Sequence, residues 1–236
     1  MNYPDTIAVI VAGGKGRRME SATKKQYLRL NQIPILSLTI RQFDRCRVVR
    51  SIILVIPRTD ESFCREHIVE PYKFTKPVHL VHSGEKRQDS AYNGVKFLKT
   101  LTNSTDETIV LVHDGVRPFV SGNLISESVQ NALRHGACVP GIKLSDTIKQ
   151  AGEGNRIHQT IKRDNLYAVQ TPQAFQLHLL AEAFENAIES GFIGTDDASL
   201  VEQLGKPVVV IDGDKHNIKI TTPEDLKFAE FLVQTV

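Results

Sequence analysis

Glycines and cationic side chains crowd the start of this 236-residue chain. Ala12-Gly13-Gly14-Lys15-Gly16-Arg17-Arg18-Met19 follows directly on an apolar run, and Lys24 and Lys25 come a few residues later. Glycines let a backbone turn tightly and aim its N–H groups at a bound group. Arg and Lys beside such N–H groups suit the oxygens of a polyphosphate. These residue types at this spacing point to a nucleoside triphosphate site.

This stretch departs from two other phosphate loops. A Walker A loop requires Gly-x-x-x-x-Gly-Lys-Ser/Thr, but Gly16 is followed by Arg17 and no hydroxyl stands where the magnesium ligand belongs. A dinucleotide fingerprint requires Gly-x-Gly-x-x-Gly, and Met19 occupies the place of its third glycine. That fingerprint remains a rival, as does a plain glycine turn with solvated basic residues.

More polar clusters follow later apolar runs, where α/β proteins place their chemistry. Ser83-Gly84-Glu85-Lys86-Arg87-Gln88-Asp89-Ser90 joins a glycine, cations and a hydroxyl that could also cap the next helix. In His113-Asp114-Gly115-Val116-Arg117-Pro118, a carboxylate at a strand tip suits a phosphate-bound magnesium ion; the alternative is an N-cap or Asx turn. Asp146-Thr147, Arg163, Gln170-Thr171-Pro172-Gln173, Thr195-Asp196-Asp197 and Asn217-Ile218-Lys219 complete the set. The eight histidines lack His-Glu-x-x-His spacing, and His113 reads best as a structural hydrogen-bonding group. Without a Gly-x-Ser-x-Gly elbow, acyl chemistry has no support.

The elements that must position these residues are legible from periodicity. Thr6–Val11, Ser51–Ile56, Val78–Val81, Thr108–His113, Ala137–Gly141 and Pro207–Ile211 read as buried strands. Leu36, Ile40 and Phe43 share a helical face, as do Ile125, Val129, Ala132 and Leu133. Leu177–Glu189 carries Leu177, Leu180, Ala181, Phe184 and Ile188 at helical spacing. Thr222 precedes Pro223, Glu224 and Asp225, an N-terminal signature for a last helix over Pro223–Gln234. The alternation predicts an α/β sandwich with a mostly parallel sheet. Residues 142–168 break the pattern: Asp146–Gln150 and Ile157–Ile161 flank Ala151-Gly152-Glu153-Gly154-Asn155, predicting a protruding β-arm. Such an arm either clasps a second subunit or stands alone on the surface. One domain spanning 1–236 with this insertion is expected.

Composition bounds the partners. A net charge of +2 does not predict a nucleic-acid surface. No apolar segment is long enough for a bilayer span, and no signal peptide follows Met1. Cys46, Cys64 and Cys138 are odd in number and widely spaced, which suits reduced thiols and a cytoplasmic location.

In their order along the chain, the motifs resemble the 2-C-methyl-D-erythritol 4-phosphate cytidylyltransferase family, within the nucleotidyltransferase superfamily. They run from Ala12–Met19 and Lys25-Gln26-Tyr27-Leu28 through Arg87–Ser90, His113-Asp114 and Arg117-Pro118 to Asp146-Thr147, Gln170–Gln173, Thr195-Asp196 and Asn217–Lys219. The resemblance covers nearly the whole chain. It implies transfer of CMP from CTP to methylerythritol phosphate with release of pyrophosphate, in an isoprenoid pathway. It also implies magnesium held largely by the CTP phosphates, a Rossmann-like three-layer sandwich, and a homodimer whose arm reaches the neighbouring site. Arg18, Lys25 and Lys219 match the catalytic cations. Ala12, Gly13, Gly14, Gly16, Gly84, Arg87, Ser90 and Asp114 match the nucleotide site, with Asp114 also by the metal. Thr147, Arg163 and Thr195, together with Arg117, match the acceptor pocket, part of which is expected from the partner subunit.

The residue types fit that chemistry independently. A phosphate monoester is already anionic and needs no general base as a nucleophile; it needs relief from repulsion when it attacks another phosphate, which cations supply. Three departures stand out: family members often carry Ala-Ala-Gly where Ala12-Gly13-Gly14 stands, His-Asp-Ala-Ala-Arg across Gly115 and Val116, and Gly-Gly at Ser83-Gly84. The rivals are a ribitol-5-phosphate cytidylyltransferase, a transferase for another nucleotide, and a non-catalytic nucleotide-binding module.

Overall fold

The computed structural model describes residues 4–14, 23–101 and 107–235. Within them the strands are β1 (Thr6–Val11), β2 (Arg29–Leu30), β3 (Ile33–Pro34), β4 (Ser51–Ile56), β5 (Val78–His82), β6 (Ile109–Asp114), β7 (Ala137–Lys143), β8 (Ile148–Ala151), β9 (Ile157–Ile161), β10 (Tyr167–Val169), β11 (Gln173–Gln176) and β12 (Val209–Asp212). The helices are α1 (Ile35–Arg45), α2 (Glu61–Cys64), α3 (Arg87–Leu101), α4 (Gly122–His135), α5 (Leu177–Ser190), α6 (Ala198–Gln203) and α7 (Pro223–Thr235).

β1, β4 and β6 are covered on both faces, which is why they read as unbroken apolar runs. Their side chains still alternate between two layers. Ala8, Ile10, Ile52 and Leu54 pack with Leu36, Ile40 and Phe43 of α1 and with Ile125 and Val129 of α4. Ile7, Val9, Ile53 and Val55 pack with Ala91 and Val95 of α3 and with Leu180 and Phe184 of α5. Each fully buried large side chain of this kind contributes about 1.5–3 kcal/mol.

The main sheet runs β12-β7-β11-β6-β1-β4-β5, with β10 beside the far end of β7. β5, β4, β1 and β6 are mutually parallel, and β12 is parallel to β7. β11 lies antiparallel to both β6 and β7. The chain leaves β1 for α1 on one face and β5 for α3 on the other. That divergence opens a crevice beyond the carboxyl ends of the central strands. α3 approaches β1 closely at Gly94, where a methyl group would lie 2.5 Å from Val9 Cγ1.

The fold agrees with the sandwich and mostly parallel sheet read from the sequence, and several local expectations shift. Leu133 and Ile188 sit at helical spacing but are 40 % and 58 % exposed, while their neighbours Ala132 and Ala187 take the buried positions of the last turns. Thr222 caps α7 as expected: its Oγ1 accepts the Asp225 N–H at 3.2 Å, and Asp225 Oδ2 accepts the Thr222 N–H at 2.9 Å. The β2–β3 hairpin carries no sequence signal; Asn31 and Gln32 supply its positive φ angles of 46° and 66° without a glycine. The arm is a separate two-stranded sheet of β8 and β9, its first strand starting two residues later than the pattern suggested.

Candidate active site

Beyond the ends of β1, β4, β5 and β6 lies a cleft of about 990 Å³. Ala12, Gly13 and Gly14 form one wall, and Ser83, Gly84, Arg87 and Ser90 another; Lys24, Lys25 and Lys219 face it from elsewhere, and Asp114 lies at its base. Sheet pairing continues past the strand ends and fixes the walls: Ala12 N–H donates to Val55 O at 2.8 Å, and Ser83 N–H to Ile56 O at 2.7 Å.

The glycine turn is held from below. Gln26 is 1 % exposed, and its Nε2 donates to Ala12 O at 2.9 Å. The short 3₁₀ turn Lys25–Tyr27 that carries Gln26 is anchored on Asp60, just beyond β4. Asp60 accepts hydrogen bonds from Lys24 Nζ at 2.6 and 2.7 Å and from the Tyr27 hydroxyl at 2.7 Å. Burial alone would raise the Asp60 pKa, but the Lys24, Tyr27 and Thr59 donors outweigh it and lower the value.

The expected cap role for Ser90 is replaced by another. Ser90 lies inside the first turn of α3, where its hydroxyl accepts from Gly84 N–H at 3.1 Å and donates to Lys86 O at 2.9 Å. The turn after β5 is thereby closed over the helix start, and a Cβ on Gly84 would meet Asp89 Cβ at 2.3 Å.

Asp114 draws in three cations: Lys219 Nζ at 3.0 Å, Arg117 Nε at 3.3 Å and Arg87 Nε at 3.6 Å. Burial would raise its carboxyl; the Lys219, Arg87 and Arg117 charges outweigh burial and hold it well below the usual carboxylate range. Arg87 also pairs with buried Asp197 at 2.8 Å. Burial opposes the Arg87 charge, yet the two flanking carboxylates raise its pKa. For Asp197 burial prevails and the carboxyl shifts up despite Arg87.

His113 orients this group from behind. It is fully buried, and desolvation lowers its pKa to about 4, so the ring is neutral near pH 7. Arg117 O, 3.1 Å from Nε2, can only accept, so Nε2 carries the proton. Nδ1 then accepts from the Thr171 hydroxyl at 3.0 Å, and Thr171 Oγ1 accepts the Asp114 N–H at 3.1 Å. Asn217 closes the circuit: its Nδ2 donates to Thr171 O at 2.8 Å, and its carbonyl accepts from Arg117 at 2.7 Å. Ile220 N–H pairs with Val116 O at 3.0 Å, which places Lys219 beside Asp114. The Gln170–Gln173 and Asn217 motifs thus build the framework of the cleft, as His113 was expected to.

The cleft has the chemistry of a polyphosphate site: backbone walls, several cations and one deep carboxylate. It also bears on magnesium. Among the described residues no three His, Cys, Asp or Glu side chains cluster to hold a metal. The cleft is lined by two acidic residues, exposed Glu85 and buried Asp114, and Asp114 is already ringed by cations, a set that fits an ion brought in on phosphate oxygens better than one the protein holds alone.

Residues 6–235 match the family model described as IspD, 2-C-methyl-D-erythritol 4-phosphate cytidylyltransferase. This chain belongs to that family. The 2-C-methyl-D-erythritol 4-phosphate cytidylyltransferase of Geobacillus kaustophilus is 45 % identical over 233 residues, covering 99 % of this chain and 97 % of that protein. The enzyme of the same name from Syntrophus aciditrophicus is 42 % identical, over 96 % and 95 % of the two chains. A crystal structure of 4-diphosphocytidyl-2C-methyl-D-erythritol synthase from Anaerococcus prevotii superposes with a TM-score of 0.83 at 33 % identity, over 98 % and 96 % of the chains.

Of the residues that the cytidylyltransferase resemblance singled out, the structure gathers Ala12, Gly13, Gly14, Lys25, Gly84, Arg87, Ser90, Asp114 and Lys219 around one cleft. Arg18 and Gly16 lie outside the described residues. Arg117 is buried behind the cleft, bonded to Asp114 and Asn217. Thr147, Arg163 and Thr195 are exposed and do not line it; Arg163 donates to Ser145 O at the base of the arm. Sequence reasoning did not assign roles to Gln26, Asp60 or Thr171. All three are buried polar residues whose partners are distant in the chain, which no local pattern signals.

Proposed function

We propose that this chain transfers CMP from CTP to 2-C-methyl-D-erythritol 4-phosphate and releases pyrophosphate. The observation that carries this reading is Lys219 lying 3.0 Å from Asp114 in the cleft that Lys25 and the glycine turn also line. CTP fits with its base against the uncharged wall of Ala12, Gly13, Ser83 and Gly84, and its phosphates toward Lys25 and Lys219.

A phosphate oxygen of the acceptor attacks the α-phosphorus as the bond to the bridging α,β-oxygen breaks, and pyrophosphate carries away the electron pair. No proton has to be removed from the nucleophile, so the step requires no general base. Lys25 and Lys219, with Arg18, offset the charge gathering on the phosphorus. Asp114 orients Lys219 and would be the carboxylate of the cleft base available to a magnesium ion, which when bound would neutralise further phosphate charge.

Thr147, Arg163 and Thr195 are assigned to the acceptor, with part of the pocket supplied by a second copy of the chain. The arm supports a homodimer: β8 and β9 form a sheet apart from the main one and are exposed over most of their length. Three free buried cysteines suit the cytoplasm, and no helix among the described residues is long and apolar enough to cross a membrane.

The test is incubation with CTP, magnesium and methylerythritol phosphate, with ribitol 5-phosphate in parallel. A cytidine-linked product from the first acceptor alone is expected. Product only from ribitol phosphate, or CTP binding without product, would refute the assignment.

A further inference from the structure

We infer that Ser83 is a nucleoside-binding residue of the uncharged end of the cleft, and that Gly13 is its steric complement; the inference rests on the nucleotide-binding reading above. Gly13 follows β1 and Ser83 follows β5, on either side of β4 in the sheet. At Pro57 the chain beyond β4 turns into a 3₁₀ segment, and the Ser83 side chain reaches across the gap toward Gly13. A Cβ on Gly13 would stand 2.6 Å from Ser83 Cβ and 3.0 Å from its Oγ, so the wall has room for one of the two side chains. Neither backbone can retreat, because Ala12 and Ser83 are both pinned to the end of β4 by hydrogen bonds of 2.8 and 2.7 Å.

The two positions therefore form one unit. Ser90 Oγ is consumed by Gly84 and Lys86, whereas Ser83 Oγ has no hydrogen-bond partner among the described residues and lines the cleft. It is a donor and acceptor aimed at whatever occupies the uncharged end, the place for the base and ribose.

The experiment is a double-mutant cycle read by calorimetric titration with CTP, and with tripolyphosphate as a probe for the cationic end alone. Gly13→Ala should weaken CTP binding about tenfold or more through overpacking. Ser83→Gly should weaken it about fivefold, the affinity equivalent of one ordinary hydrogen bond. The double variant should bind CTP better than Gly13→Ala alone, a coupling that separate structural defects would not produce. Ser83→Ala, which keeps the volume, should match the loss of Ser83→Gly. Tripolyphosphate affinity should stay within about twofold throughout, since the cationic end is untouched. Additive losses, a harmless Gly13→Ala, or unchanged CTP affinity in Ser83→Ala would overturn the inference. A wild-type chain that binds tripolyphosphate but not CTP would instead sink the nucleotide reading, and this inference with it.

Discussion

Replacing Lys219 with alanine removes a cation that faces the cleft while leaving its neighbours in place. Asp114 keeps Arg117 at 3.3 Å and Arg87 at 3.6 Å, so the buried carboxylate remains compensated. The Lys219 side chain is 38 % exposed, and solvent screening limits its share of stability to about 1 kcal/mol or less. For a chain of this length that is a fall in Tm of about 2–4 °C. The effect on turnover is of a different size. A unit charge about 4 Å from the reacting phosphate, at the effective dielectric of a cleft near the surface, is worth about 4 kcal/mol. Deleting one pre-positioned donor to a developing anion costs about 3–4 kcal/mol in other enzymes. Both figures predict a loss of kcat of about 100- to 1000-fold. The assay is pyrophosphate release at saturating CTP and acceptor, paired with calorimetric unfolding of the same preparation. Turnover within about threefold of wild type would refute the placement of Lys219 at the reacting phosphorus. A fall in Tm above about 10 °C would show that the residue supports the fold instead.

Arg117→Ala should behave in the opposite way. Removing a buried guanidinium leaves Asp114 and Asn217 O short of a donor and costs about 3–5 kcal/mol, visible as a large drop in Tm that Arg117→Lys fails to restore. His113 makes stability pH-dependent: its folded pKa of about 4 lies below the ordinary value of 6.5, so its contribution is complete above 6.5 and disappears as pH falls toward 4. The loss amounts to about 3 kcal/mol; urea unfolding at several pH values should show it, and His113→Asn should be weaker at neutral pH but flatter across that window. Tyr27→Phe removes one donor from Asp60 without touching the cleft lining, and should weaken tripolyphosphate binding by about fivefold because the turn carrying Lys25 loosens. Unaltered affinity would mean that Asp60 does not position Lys25.

Much of this protein is legible in its residues without coordinates. Runs such as Ile7–Val11 and Ile52–Ile56 announce strands because burial on both faces demands apolar side chains at every position. Thr222 announces a helix start because its hydroxyl meets an orphan N–H only three residues away. Glycines followed by cations suggest a phosphate site, since local backbone freedom and local charge are all that such a suggestion needs. All of these are short-range properties, and the chain encodes them within one or two turns.

The partners of the buried charges are decided elsewhere. Nothing near Asp114 in the chain points to Lys219 or Arg87, and nothing near Lys24 points to Asp60. The sheet order brings the ends of β1, β5 and β6 and the segment before α7 together. A buried carboxylate must then find compensation among whatever cations that assembly delivers. The same holds for Gly13 and Ser83, each unremarkable alone, which compete for a single volume only because β4 holds them side by side. Periodicity reports whether a residue is buried; which residue it is buried against depends on how distant elements pack, and the tertiary structure alone settles that.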